Sequence, residues 1–205
     1  MNDKWVDFAI RIQSIAQAGL QYGKDKFDRE RYEELREISA EMLSVKTDIP
    51  VEKIRDLFCN ESGYQTPKID TRAAVFVDDK ILLVHESNGT WSLPGGWCDV
   101  DQSILSNTVK EVKEETGFNV SAEKLIAVQD WRKHNVTNYA YGVIKIFVRC
   151  KYESGKFEDN LETTEVSFFD ENSLPENLAV EKCTKEQILM CFECLHNPSF
   201  QTVFD

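Results

Sequence analysis

The stretch Leu93–Phe118, LPGGWCDVDQSILSNTVKEVKEETGF, constrains this chain more than any other. A Pro-Gly-Gly turn closes an apolar segment and a short acidic loop follows. One amphipathic helix then carries Glu111, Glu114 and Glu115 and is closed by Gly117. Helical residues three and four apart share a face, so at about 100° per residue the three glutamates fall within an arc of roughly 100°. Ile104, Leu105, Thr108, Val109 and Val112 occupy the adjoining sector and are expected to face the core.

Carboxylates about 5 Å apart repel by roughly 3 kcal/mol per pair at an effective dielectric of about 20. Lys110 partners Glu114 at i, i+4, but Glu111 and Glu115 form a like-charged i, i+4 pair. Hard oxygen donors suit Mg²⁺ or Mn²⁺, and a divalent cation turns the repulsion into binding. Taken alone, the helix reads first as a solvated surface helix, as most Lys/Glu-rich helices are.

The residues around it decide between the two. The stretch resembles the Nudix box, GX5EX7REUXEEXGU with U a bulky apolar residue. Gly96, Glu111, Val112, Glu114, Glu115, Gly117 and Phe118 match at the required spacing, seven of nine specified positions, and Leu93, Pro94 and Gly95 form the usual lead-in. Gln102 stands where the box has glutamate, and Lys110 where it has arginine.

The resemblance implies an active hydrolase with the Nudix α/β/α sandwich around a mixed sheet. It implies that Glu111, Glu114 and Glu115 hold Mg²⁺ or Mn²⁺, and that Gly95 and Gly96 let the backbone approach the phosphates or the metal. Lys110 is expected to hold the loop or a glutamate, without the bidentate fork of arginine. Gln102 adds no charge; Asp99 either supplies the missing carboxylate or caps the loop. Glu162 is the first candidate for general base and Glu165 the second, each reading also as an ordinary surface acid.

A chain of 205 residues holds one ordinary domain and a small additional module. Hydrophobic content of 41% with 11% aromatics supports a real core and excludes wholesale disorder. The net charge of −12 gives no general attraction to nucleic acid, so a phosphate-rich ligand must be met by local cations or bound metal. No apolar run approaches the roughly 18 residues of a membrane span, and MNDKWVDF lacks the pattern of a secretory signal. Cys59, Cys98, Cys150, Cys183, Cys191 and Cys194 show no disulfide framework. Cys191 and Cys194 lie in an apolar helical segment and read as buried thiols rather than zinc ligands. The expected compartment is the reducing cytoplasm.

Residues 1–66 read as a helical module and 67–205 as the catalytic domain. In the module, Trp5, Phe8, Ile12, Ile15 and Gly19 form one stripe and Tyr32, Leu35, Ile38 and Met42 a second. Thr47, Asp48 and Pro50 mark a third helix start, followed by Val51, Ile54, Leu57 and Phe58 and ended by Asn60 and Gly63. These faces pack as a small bundle, against the catalytic domain or against a partner chain. In Nudix groups with such an extension it takes part in dimer formation, so the resemblance implies a homodimer.

In the catalytic domain, Thr71–Val77 and Lys80–His85 read as a hairpin around Asp78-Asp79, with a short strand at Trp91–Leu93. Asp101 or Ser103 caps the box helix and Gly117 takes its C-terminal αL position. Strands are expected over Lys124–Arg132, Tyr139–Cys150 and Glu165–Phe169. Thr184 with Gln187 forms a capping box for a last helix running to about His196.

Beyond the box, WRKHN at 131–135 and the segment 160–178 resemble a Nudix subgroup that acts on nucleoside diphosphates linked to another group. That subgroup implies CDP-choline as the leading substrate, with ADP-ribose or another nucleoside diphosphate sugar as the close alternative. Phosphate processing at RNA ends and a non-catalytic nucleotide sensor remain as further readings. Trp97, Trp131, Tyr139 and Tyr141 are the aromatic candidates for substrate contact, and His134 for phosphate; core packing and an exposed loop are their plainer readings.

Overall fold

The computed structural model describes residues 4–47, 49–59, 62–135, 142–158, 160 and 162–205, and for 56–58 the backbone alone. Two compact units emerge. The first holds the chain up to Pro67 together with Gly142; the second holds Lys68–Asn135 and Val143–Asp205.

The first unit is helical: α1 (Lys4–Tyr22), α2 (Lys26–Thr47) and α3 (Val51–Phe58). Asp25 starts α2 by accepting from the backbone N–H groups of Phe27 and Asp28. The core is Val6, Ala9, Ala40, Leu43 and Ile54. The expected stripe on α1 is therefore displaced. Trp5, Phe8 and Ile15 lie 58%, 44% and 60% exposed, while Val6, Ala9, Gln13, Ala16 and Gln17 are buried. On α1 the buried face centres on Ala9 and Ala16, with Val6, Gln13 and Gln17, and the bulky residues one position away are left outside. Gln13 and Gln17 satisfy each other within that face, Gln13 Nε2 donating to Gln17 Oε1 at 3.3 Å and Gln17 Nε2 to the Gly63 carbonyl at 3.0 Å. Asp48, Asn60 and the side chains of Leu57 and Phe58, part of the expected third stripe, lie outside the described residues.

The second unit is built on β1 (Lys68–Val77), β2 (Lys80–Glu86), β3 (Trp91–Ser92), β4 (Phe118–Asp130), β5 (Val143–Gly155), β6 (Thr163–Phe169) and β7 (Val203–Phe204). Between them come α4 (Ile104–Thr116), α5 (Trp131–His134) and α6 (Lys185–His196). The sheet runs β3-β2-β1-β5-β4-β7, with β6 also paired to β2. β1 lies parallel to β5, β4 antiparallel to β5 and parallel to β7, so the sheet is mixed.

On one face α4 packs Val112 against Ala73, Val75, Leu82 and Val148. On the other, α6 packs Ile188, Cys191 and Phe192 against Ala74, Leu83, Ile126 and Phe147. Both faces are covered, which is why the central strands read as continuous apolar runs. This is the expected α/β/α sandwich.

The local signals fall close to expectation. Asp78 and Asp79 turn the β1–β2 hairpin at φ 49° and 58°. Ser103 rather than Asp101 caps α4, with Ser106 closing the capping box, and Gly117 ends the helix in αL. Thr184 and Gln187 form the predicted box on α6.

Three local expectations are corrected. The strand expected to reach Arg132 stops at Asp130, whose carboxylate accepts from the Arg132 N–H and starts α5. Leu105, expected in the core, is 59% exposed, because α4 meets the sheet through Thr108, Val109 and Val112. The strand expected from Tyr139 begins at Val143, Tyr139 itself lying outside the described residues. Cys183, Cys191 and Cys194 are buried free thiols. Among the described residues, no helix is long and apolar enough to cross a membrane.

Candidate active site

The Pro-Gly-Gly segment is fixed from below by β1. Ala73 N–H donates to the Pro94 carbonyl at 2.8 Å, Thr71 N–H to Gly96 at 2.9 Å, and Cys98 N–H to Ile69 at 2.8 Å. The loop thus runs along β1 like an extra strand. A side chain at Gly95, where φ is 142°, would strike the Thr71 carbonyl, and a Cβ on Gly96 would lie 2.5 Å from Glu111 Oε2. Only glycine lets the loop lie between β1 and the acidic face of α4.

Three side chains join α4 to this loop. Asn107 donates to Thr71 Oγ1 at 2.9 Å and to the Trp97 carbonyl at 3.3 Å. Glu115 Oε2 accepts the Gly95 N–H at 2.9 Å. Lys110 reaches from the helix to Asp99 in the loop at 2.9 Å.

The glutamates occupy different surroundings. Burial pushes the Glu115 carboxyl up to about 7, against the opposing pull of Arg72 and the Gly95 N–H. Burial also raises Glu111, opposed by Lys110. The Glu114 side chain is 59% exposed. The Lys110 ammonium lies 2.9 Å from Asp99, 3.2 Å from Glu111 and 3.3 Å from Glu114. Hydrogen bonds to Asp99 first, then to Glu111, hold it well above the ordinary lysine range. Among the described residues no three His, Cys, Asp or Glu side chains are gathered tightly enough to hold a metal ion by themselves; three carboxylates instead surround this ammonium. Gln102 sits in the turn after Asp99, its N–H on the Asp99 carbonyl at 3.0 Å, and adds no charge.

Beneath the loop lies a charged group that sequence reasoning missed. Asp70, Arg72 and Lys145 are 2%, 4% and 2% exposed. Arg72 donates to Asp70 through Nε and Nη2 at 3.1 and 2.6 Å and to the Leu93 carbonyl at 3.2 Å. Lys145 Nζ donates to Asp70 at 2.7 Å. Burial opposes every charge here, yet the two cations keep Asp70 below its ordinary value. Burial lowers Lys145 in spite of Asp70, while Asp70 outweighs burial at Arg72 and raises it. Arg72 also favours the ionised form of Glu115. The signal was two charges at alternate positions, Asp70 and Arg72, just ahead of the apolar run 73–77 of β1. Lys182, paired with Glu86 at 2.7 Å, is a second cation acting on Glu115.

The remaining candidates separate. Glu162 is exposed; its N–H donates to Asn160 Oδ1 at 3.0 Å, and Asn160 Nδ2 donates to the Glu115 carbonyl at 2.9 Å. The loop bearing Glu162 is thereby tied to the end of α4. Glu165 is exposed on β6. Trp131, an aromatic candidate for substrate contact, is 2% exposed at the start of α5. His134 Nε2 is paired with the C-terminal Asp205 at 2.5 Å. Tyr139 and Tyr141 lie outside the described residues. Trp97, next to Gly96, is 44% exposed.

These residues fit a hard divalent cation. The donors are carboxylate oxygens, Gly96 leaves Glu111 Oε2 approachable where a Cβ would crowd it, and a cationic ammonium already sits among the carboxylates.

Comparison with known proteins agrees with this geometry. A family model described as the NUDIX domain matches residues 67–187, and one described as a UDP-X-like N-terminal oligomerisation domain matches residues 3–58. The Bacillus subtilis protein YjhB, named provisionally as an ADP-ribose pyrophosphatase, is 45% identical over 203 residues, covering 98% of this chain and 97% of that one. The crystal structure of an ADP-ribose pyrophosphatase from Streptococcus suis, 48% identical, covers 68% of this chain and 100% of its own with a TM-score of 0.64. That of a UDP-X diphosphatase, 36% identical, covers 98% of both chains with a TM-score of 0.64. With box, sandwich and both family models in place, the chain belongs to the Nudix hydrolases and carries a UDP-X-like N-terminal domain ahead of its catalytic domain.

Proposed function

We propose that the protein hydrolyses the pyrophosphate bond of a nucleoside diphosphate linked to a second group, X. Water adds to one phosphorus, the bridging P–O bond breaks, and two phosphate monoesters leave; CDP-choline would give CMP and phosphocholine. The observation that carries the reading is the loop-to-helix arrangement, with Gly95 bonded to Glu115 and Gly96 open to Glu111.

Glu111, Glu114 and Glu115 are the proposed holders of Mg²⁺ or Mn²⁺, which when bound would acidify the attacking water and offset phosphate charge. Gly95 and Gly96 bring the backbone up to the phosphates. Arg72 and Lys182 favour the ionised form of Glu115 against the burial that raises it. Glu162 is the proposed general base, held near the end of α4 by Asn160.

The choice of X stands between two substrates. The exposed Trp97 ring supports CDP-choline, since a quaternary ammonium is attracted to an aromatic face by about 0.5–2 kcal/mol. The names of the B. subtilis and S. suis relatives support ADP-ribose. The helical domain is proposed to form a homodimer through the outward face of Trp5, Phe8 and Ile15, in keeping with the oligomerisation domain it matches.

Purified protein incubated with CDP-choline, ADP-ribose, NADH and capped or uncapped RNA, with Mg²⁺ or Mn²⁺, tests the reading. Turnover of the first two, at different kcat/KM, is expected. Turnover of RNA alone would move the activity to RNA ends, and tight nucleotide binding without turnover would make the protein a sensor.

A further inference from the structure

Lys110 does more at this site than brace it. Its ammonium is bonded at once to Asp99 of the loop and to Glu111 and Glu114 of α4, at 2.9, 3.2 and 3.3 Å. Lysine has three donors on one compact charge and gives one to each carboxylate. Three carboxylate oxygens around a point charge are also the donor chemistry a hard divalent ion takes. An arginine, with its planar fork, favours one carboxylate bidentately rather than gathering three. Two of the three groups, Glu111 and Glu114, are among the three assigned above to the metal, and the third belongs to the loop. The Lys110 side chain is 32% exposed on a flexible four-carbon stem, so it has room to move. A divalent ion on Glu111 and Glu114 cannot share them with an ammonium at these distances without strong like-charge repulsion.

We propose that Lys110 is a built-in counter-cation: it holds Glu111 and Glu114 in the metal-free protein, and it must release them and retire to Asp99 when the metal binds. The inference rests on the metal assignment of the preceding subsection. It makes Lys110 a positioning residue that competes with the metal, and makes Asp99 the resting place of the displaced ammonium rather than a metal ligand.

The sign of one measurement separates this from a brace. Mn²⁺ binding to the full-length protein is followed by the spectrum of free Mn²⁺ in paramagnetic resonance, without substrate, for wild type, Lys110→Met, Lys110→Gln, Asp99→Asn and the Lys110→Met/Asp99→Asn pair. If the competent, lysine-displaced form is about a tenth of the population, removing the lysine tightens Mn²⁺ binding about tenfold. Both Lys110 variants are expected to tighten it, Asp99→Asn to weaken it, and Asp99→Asn to have no effect once Lys110 is gone.

Weaker Mn²⁺ binding in folded Lys110→Met and Lys110→Gln would overturn the proposal and leave Lys110 a brace. An equal loss from Asp99→Asn with and without Lys110 would make Asp99 a metal ligand and overturn its role as resting place. No Mn²⁺ bound by wild type or either Lys110 variant would overturn the metal assignment itself, and this inference with it.

Discussion

The two units solve opposite problems. The helical unit buries small residues, Ala9, Ala16 and Ala40, and leaves Trp5, Phe8 and Ile15 outside. The catalytic unit buries its large apolar side chains on both faces of a sheet and takes charge inside as well, in Asp70, Arg72, Lys145 and part of Glu115. Apolar surface left outside fits a unit made for association; charge taken inside fits a unit made for chemistry. In each, the residues that break the usual inside–outside rule point to the role.

The largest effect is expected from the glutamates. Glu114→Gln and Glu115→Gln each remove a proposed ligand and should lower kcat by at least about 10²-fold, on the scale of losing one preorganised electrostatic partner. Steady-state rates with the preferred substrate check this, and an unchanged rate in either variant would break the contrast drawn for the catalytic unit.

Next comes Asp70→Ala. It strands Arg72 and Lys145 as buried cations, and breaking a buried pair in this way costs about 3–5 kcal/mol. Urea unfolding should show that loss, whereas Trp5→Ala in the helical unit should remain far milder. Equal losses would mean that the internal charges are no more critical to folding than the outward ring.

A pH series sharpens the same point. Burial raises Glu115 from 4.5 to about 7 in the folded protein. Between those values the folded form keeps a proton that the unfolded chain has lost, so stability of the metal-free protein falls as pH rises across the window. The fall is at most about 3 kcal/mol. Saturating Mn²⁺ should flatten it by stabilising the carboxylate. Asp70, lowered by its cations, acts in the opposite sense and loses its contribution as pH drops below its ordinary value of 3.8. Urea curves from pH 2.5 to 8, with chelator and with Mn²⁺, give both signs.

The smallest stability effect belongs to the exposed face. Trp5→Glu with Phe8→Glu should change unfolding free energy by no more than about 0.5 kcal/mol per site in the separated chains, yet convert the proposed dimer to monomer in light scattering. A dimer that survives would place the interface elsewhere.

Much of the site was legible in the sequence because its chemistry is local. A helix fixes the relation of Glu111, Glu114 and Glu115 by spacing alone, and Ser103, Gly117, Thr184 and Gln187 mark helix ends through bonds made within a few residues. The hairpin at Asp78-Asp79 is legible for the same reason. The displaced stripe on α1 was not, since periodicity gives an apolar face but not which part of it a neighbouring helix chooses. Nothing in WRKHN says that Asp130 will end the strand and start α5 with Trp131 buried.

What the sequence determined by itself is the box, the helix caps and the strand runs, all products of interactions short along the chain. What only the tertiary structure decided is the company those residues keep. Asp70 and Lys145 are 75 positions apart and meet because β1 and β5 pair in parallel. Gly95 and Glu115 meet because the loop is bonded along β1 while α4 packs across the same sheet. Spacing dictates which donors lie on one helix; only the tertiary structure brings the distant cation Arg72 near Glu115 and the loop carboxylate Asp99 to Lys110.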